Sequence, residues 1–186
     1  MNIKELVFIG EFEILSGNII ATDPCFSLKD ILKQEFFSGN YMIQNAKKGK
    51  WLAYVVYKPY SGWGTICHQL CAIHSSVKDE MASLKWTLKH GLDVESGQAG
   101  IFDIQYYEKN EIAAKIEEPL CPDRPWYSVC CDLTLNTPYG AGVLLGGCVS
   151  SSGMGDGGYN CYVSTEKGEI QGVDIVFISE EEDDDE

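Results

Sequence analysis

Apolar positions along this 186-residue chain come in many short runs, most of them separated by glycine or proline. Runs of that length, alternating with polar residues and bounded by turn formers, predict short β-strands. IKELVFIGEFEIL and NIIAT flank Ser16-Gly17-Asn18, a hairpin signal. YMIQ and WLAYVVY flank NAKKGK, which predicts a second hairpin turning at Gly49. GTICHQLCAIH continues as a further strand, although its Cys and His spacing also fits a helix. After Gly91 the pattern is β to the end, with candidate strands GIFDI, EIAAKI, WYSVCCDLTL, GVLLGGCV, YNCYVST and GVDIVFI. In the last, Val173, Ile175 and Phe177 alternate with Asp174 and Val176.

Two stretches repeat at helical spacing instead. In SLKDILKQEF, Leu28, Ile31, Leu32 and Phe36 predict a short helix. In SSVKDEMASLKWTLKHG, Val77, Met81, Leu84 and Leu88 share one face. Ser76 precedes that face, Asp79 stands as a capping-box partner, and Gly91 can end the helix. The expected architecture is mainly β (α+β): a single domain of two packed or strongly coiled antiparallel sheets with two short helices. Residues 1–179 form that domain and residues 180–186 an acidic tail.

Composition adds constraints. The net charge is −14, and the terminal EEEDDDE accounts for half of it. Such a block is a solvated end, since like charges repel. An acidic surface opposes binding to nucleic acid, which needs a basic face. MNIKELVFIGEFEIL has too short an apolar core for a secretory signal. No run is long enough to span a membrane. Eight cysteines without such a signal predict reduced thiols and a cytoplasmic, soluble protein.

Candidate chemistry lies in four places. Gly153, Gly155 and Gly158 of SSSGMGDGGY fit G-x-G-x-x-G. A dinucleotide fold needs a helix after that loop, and β-rich YNCYVST follows instead. A kinase-type loop needs Val where Asn160 stands. The loop is therefore a hairpin connection, or a bare backbone that a ligand can approach, with Asp156 at its tip. DVESGQAGIFD holds Asp103 among apolar neighbours, where it must be hydrogen-bonded, metal-bound or solvent-facing. TDPCF pairs a turn-forming Asp23 with Cys25, a nucleophile only if a base lies near. Cys67, Cys71 and His74 would share a helical face, three ligands of the four zinc wants.

TDPCF, ESGQAGIFD and VSSSGMGDGGYNCYV followed by IVFI, taken in order, resemble a bacterial and phage family known only as a domain of unknown function. Glu95 stands where that family's centre often has Asp. The resemblance implies that Asp23, Gly97, Gln98, Gly100, Asp103, Asp156, Gly157 and Tyr159 belong to a shared pattern, and it implies no reaction. It raises the expectation that Asp23, Asp103 and Asp156 converge as oxygen ligands for Mg²⁺ or Ca²⁺. The competing account has each aspartate tie down its own glycine turn. The functional expectation is a non-enzymatic binding or interaction module for a small molecule or protein. Its ligand-binding residues would be Asp23, Gln98, Asp103, Asp156 and Tyr159, around the glycine-rich loop. The alternative is a small metal-assisted hydrolase using the three aspartates.

Overall fold

The computed structural model describes residues 5–33, 42–113 and 119–179. Eleven strands form two antiparallel sheets that share one core, as the pattern predicts. Sheet A has six strands in the order β1-β4-β5-β11-β10-β6. They span Leu6–Ile14 (β1), Gly49–Tyr60 (β4), Gly64–His74 (β5), Glu169–Val176 (β11), Gly157–Glu166 (β10) and Trp86–Val94 (β6). Sheet B has five, β3-β2-β7-β9-β8. These are Met42–Gln44 (β3), Asn18–Thr22 (β2), Gln98–Asp103 (β7), Gly147–Ser151 (β9) and Ala141–Leu144 (β8). The inner faces meet through Ile14, Trp51, Leu70 and Ile175 from sheet A and Ile19, Ile101 and Cys148 from sheet B, all fully buried.

Neither predicted hairpin forms. Ser16 and Gly17 carry the chain from β1 in sheet A to β2 in sheet B. Gly17 has φ +77°, and the Leu15 and Ser16 N–H groups are held by a carboxylate of sheet B, not by a facing strand. The NAKKGK segment likewise carries β3 of sheet B into β4 of sheet A. There Ala46 N–H donates to Gly17 and Lys47 N–H to Ile170. The hairpins that do form join β4 to β5, β8 to β9 and β10 to β11.

Two further expectations fail on period. The helix expected from Val77 to Leu88 is a 3₁₀ segment, Ser75–Ser83, followed by β6. Val77 and Met81 bury against Leu52, Cys71 and Ile73 on the outer face of sheet A. With that contact complete, Leu84 turns extended, and the Trp86–Val94 stretch pairs with β10. The cap is His74, whose ring accepts from Ser76 N–H, and Gly91 lies inside β6. WYSVCCDLTL is a helix, α2, at Pro125–Leu135. Pro125 sits at its first turn, where proline costs no hydrogen bond. Trp126 and Cys130, four residues apart, then point into the core.

The first expected helix is present as α1, Leu28–Lys33, opened by Ser27, whose Oγ accepts from Asp30 N–H at 3.1 Å. Its continuation to residue 36 lies outside the described residues, as do Tyr41 and the acidic tail. EIAAKI begins as a 3₁₀ turn, Asn110–Ala113, and its last three residues are outside the described set. GVLLGGCV is not one strand, since Leu145 and Gly146 turn β8 back as β9. No helix is long and apolar enough to cross a membrane among the described residues.

Candidate functional site

The three sequence motifs that hold an aspartate meet at one end of sheet B, and they meet to build turns. Asp23 follows β2 and is fully buried. Its Oδ1 accepts from Cys25 N–H at 2.7 Å and Ser96 Oγ–H at 2.6 Å. Its Oδ2 accepts from the N–H groups of Glu95 at 2.8 Å and Ser96 at 2.7 Å. One carboxylate thus staples the Asp23-Pro24 turn to the loop between β6 and β7. Ser152 N–H donates to Gly97 O at 3.0 Å and brings the glycine-rich loop to the same end.

That loop closes on itself. Gly155 N–H donates to Ser152 O, and Gly155 O accepts from Ser152 Oγ–H at 2.8 Å and Tyr159 Oη–H at 2.7 Å. Gly153 has φ +65°, and a Cβ there would stand 2.8 Å from Cys67 O. The bare backbone therefore admits β5 of the same chain. Asp156 is exposed on the turn. Gln98 is buried, with its Nε2–H directed at Cys131 Sγ at 3.5 Å.

Asp103 does not join them. In the antiparallel β2–β7 pair, Asp103 lies opposite Ile19 and Gly100 opposite Thr22. Asp23 is thus four residues along the strand from Asp103's partner, about 13 Å at ~3.3 Å per residue. Asp103 is fully buried and accepts from the N–H groups of Leu15, Ser16 and Gln105 at 2.6, 2.9 and 2.9 Å. The expected convergence of Asp23, Asp103 and Asp156 is therefore corrected. Two of the carboxylates are saturated with hydrogen bonds at opposite ends of sheet B. Among the described residues, no group of three His, Cys, Asp or Glu side chains is placed to hold a metal ion.

The other candidates resolve in the same direction. Burial, with Asp23 adding to it, pushes the Cys25 thiol up to about 12, so it stays protonated where a nucleophile must ionise. Cys67, Cys71 and His74 lie on a strand, and a bulge opposite Val56 and Tyr57 throws Cys67 into the main core. Cys71 instead faces the outer side, under Val77 and Met81.

Beside Asp23 and Asp103, the outer face of sheet A carries a further buried carboxyl among the described residues, one that holds no turn. In register across the sheet, Phe8, Tyr54, Cys71, Asp174, Tyr162 and Leu88 form a single row. Asp174 stands near its middle, on β11, between two neighbouring strands. It is only 4% exposed, and burial raises its pKa from the usual 3.8 to about 7. Gln69 Nε2–H donates to its Oδ2, while Oδ1 has no hydrogen-bond partner among the described residues.

Asp174 lines a groove of about 220 Å³ with Gln69, Lys58, Glu5, Trp86 and Tyr162. Lys58 is paired with Glu5 at 3.3 Å at its rim. One wall depends on Gly172, where a Cβ would stand 2.7 Å from Trp86 Cη2, so the bare backbone lets the indole lie on the sheet. The 3₁₀ segment covers Leu52, Cys71 and Ile73, and the groove lies beyond it, where Val56 and Lys58 of β4 and His68 and Gln69 of β5 meet β11, β10 and β6.

Sequence reasoning placed Asp174 among alternating residues of a strand, which is correct. It missed that the strand would be central. The available signal was an aspartate with apolar neighbours on both sides, the same argument already made for Asp103. Compared with protein-family models, curated proteins and solved structures, the chain matches none.

Proposed function

We propose that this chain is a binding module whose ligand sits in the groove at Asp174, on the outer face of sheet A. One observation carries this reading: a buried carboxyl, one of whose oxygens has no hydrogen-bond partner among the described residues, lines a groove that also holds aromatic side chains. A buried polar group without a partner costs about 1–3 kcal/mol, more when charged. A fold retains such a group where something else supplies the partner. Apolar walls with a few convergent polar groups are the ordinary make-up of a small-ligand site. The glycine-rich loop serves as a self-bonded turn, and the nearby Asp23 is committed to N–H and hydroxyl donors.

The test is a fragment screen followed by amide chemical shifts. The expected outcome is perturbation of Gln69, Trp86, Tyr162, Asp174 and Val176. Perturbations gathered at residues 153–159 would return the site to the glycine loop. A screen that perturbs neither region would remove the binding reading.

A further inference from the structure

We infer that the Asp174 groove takes a small organic cation with a flat N–H donor head, of the guanidinium or amidinium class, stacked between aromatic side chains. This deepens the binding reading above and rests on it. The argument begins with the acceptors. Asp174 Oδ1 has no partner among the described residues, and Gln69, with its Nε2 committed to Asp174, keeps its Oε1 as an acceptor. Two acceptors on adjacent strands match a head that presents two N–H groups in one plane, and charge-assisted pairs of this kind are the strong ones.

The surroundings select for the same class. Trp86 and Tyr162 line the groove, and aromatic faces attract cations. Lys58, which lines this groove, is engaged by Glu5. An anion would face Asp174 and Glu5. A volume of about 220 Å³ accommodates a head group of this size.

The groups around Asp174 define the expected pH response. β5 contributes Gln69, His68 and Cys71; β4 contributes Lys58; β10 contributes Tyr162; β6 contributes Trp86; and Glu5 precedes β1. Burial keeps the Cys71 thiol well above its ordinary range, so it stays neutral. Asp174 ionises at about 7, and the Asp174→Asn comparison isolates its share of the pH response. A cation gains its partner as pH rises through that value.

Benzamidine, neutral benzamide and anionic benzoate serve as probes of similar shape. Binding would be followed by amide shifts and by thermal midpoint at pH 5.5 and 8.5, for the intact chain and for Asp174→Asn. Benzamidine is expected to perturb the groove residues and to bind about tenfold or more tightly at pH 8.5 than at pH 5.5. Asp174→Asn should lose that preference and bind benzamide as well as benzamidine. If benzamide or benzoate perturbs the groove as strongly as benzamidine, the cation assignment falls while the groove remains a site. The same conclusion follows if Asp174→Asn leaves benzamidine binding unchanged. If no probe and no library fragment reaches the groove, the binding reading itself falls.

Discussion

Ionising Asp174 in the folded protein puts a charge where burial opposes it, and stability must register this. The unfolded carboxyl releases its proton near 3.8, the folded one near 7. Below about pH 4 both forms are protonated and the group contributes nothing to the difference. Between those values the unfolded state gains from ionisation and the folded state does not, so stability falls as pH rises, by roughly 4 kcal/mol in all. Asp174→Asn should flatten that slope and raise the denaturant midpoint at pH 8, with little change at pH 4. A variant that keeps the wild-type slope would place the titrating group elsewhere. Asp23 is held by four donors. Asp23→Ala strips acceptors from Glu95, Ser96 and Cys25 at once and should cost about 3–5 kcal/mol, read by urea unfolding. Asp23→Asn, which keeps a side-chain oxygen, should cost less.

At the scale of elements, β11 and β6 build the groove and the 3₁₀ segment limits it. Gly172→Ala pushes a methyl group against the Trp86 ring, so the indole must lift off the sheet. The expected result is an altered Trp86 indole resonance and weaker fragment binding at the groove, with a stability loss of about 1–2 kcal/mol. Met81→Ala, on the segment that packs over Leu52 and Ile73, should cost about 2–3 kcal/mol and speed amide exchange across Ser75–Ser83. These elements also show what the sequence made legible. Strand character was readable wherever apolar and polar residues alternate, and most strands lie where the pattern puts them. Pairing was not, because Ser16-Gly17-Asn18 reads as a hairpin turn whether the next strand returns to the same sheet or passes to the other. Asp103, far along the chain, decides that by binding Leu15 and Ser16. The WYSVCC run misled because its aromatic, Val and Cys side chains suit a buried strand and a buried helix equally. Pro125, at the first turn, was the discriminating residue. At the candidate site, the turn-forming aspartates were visible because local motifs advertise them. Asp174 was less so, because its character arises from two neighbouring strands.

On the scale of the whole molecule, sheet A is assembled from distant parts of the chain. β4 and β5 are joined by a short hairpin, whereas β11 enters between β5 and β10 about a hundred residues later. Until β11 arrives, β5 has an open edge and the core lacks Val173 and Ile175. A nascent chain that has not yet reached Glu169 therefore holds two half-sheets with nothing to join them. Contacts this far apart in sequence are slow to form, since the loop must close before pairing stabilises it. A chain cut after Glu166 should lack native near-ultraviolet circular dichroism and expose apolar surface to dye. Native signals from that truncation would show that the half-sheets close without their middle strand. The strand that completes the sheet is the one that carries Asp174, so the groove comes into being in the same step that finishes folding, and no partly folded chain can offer it to a ligand.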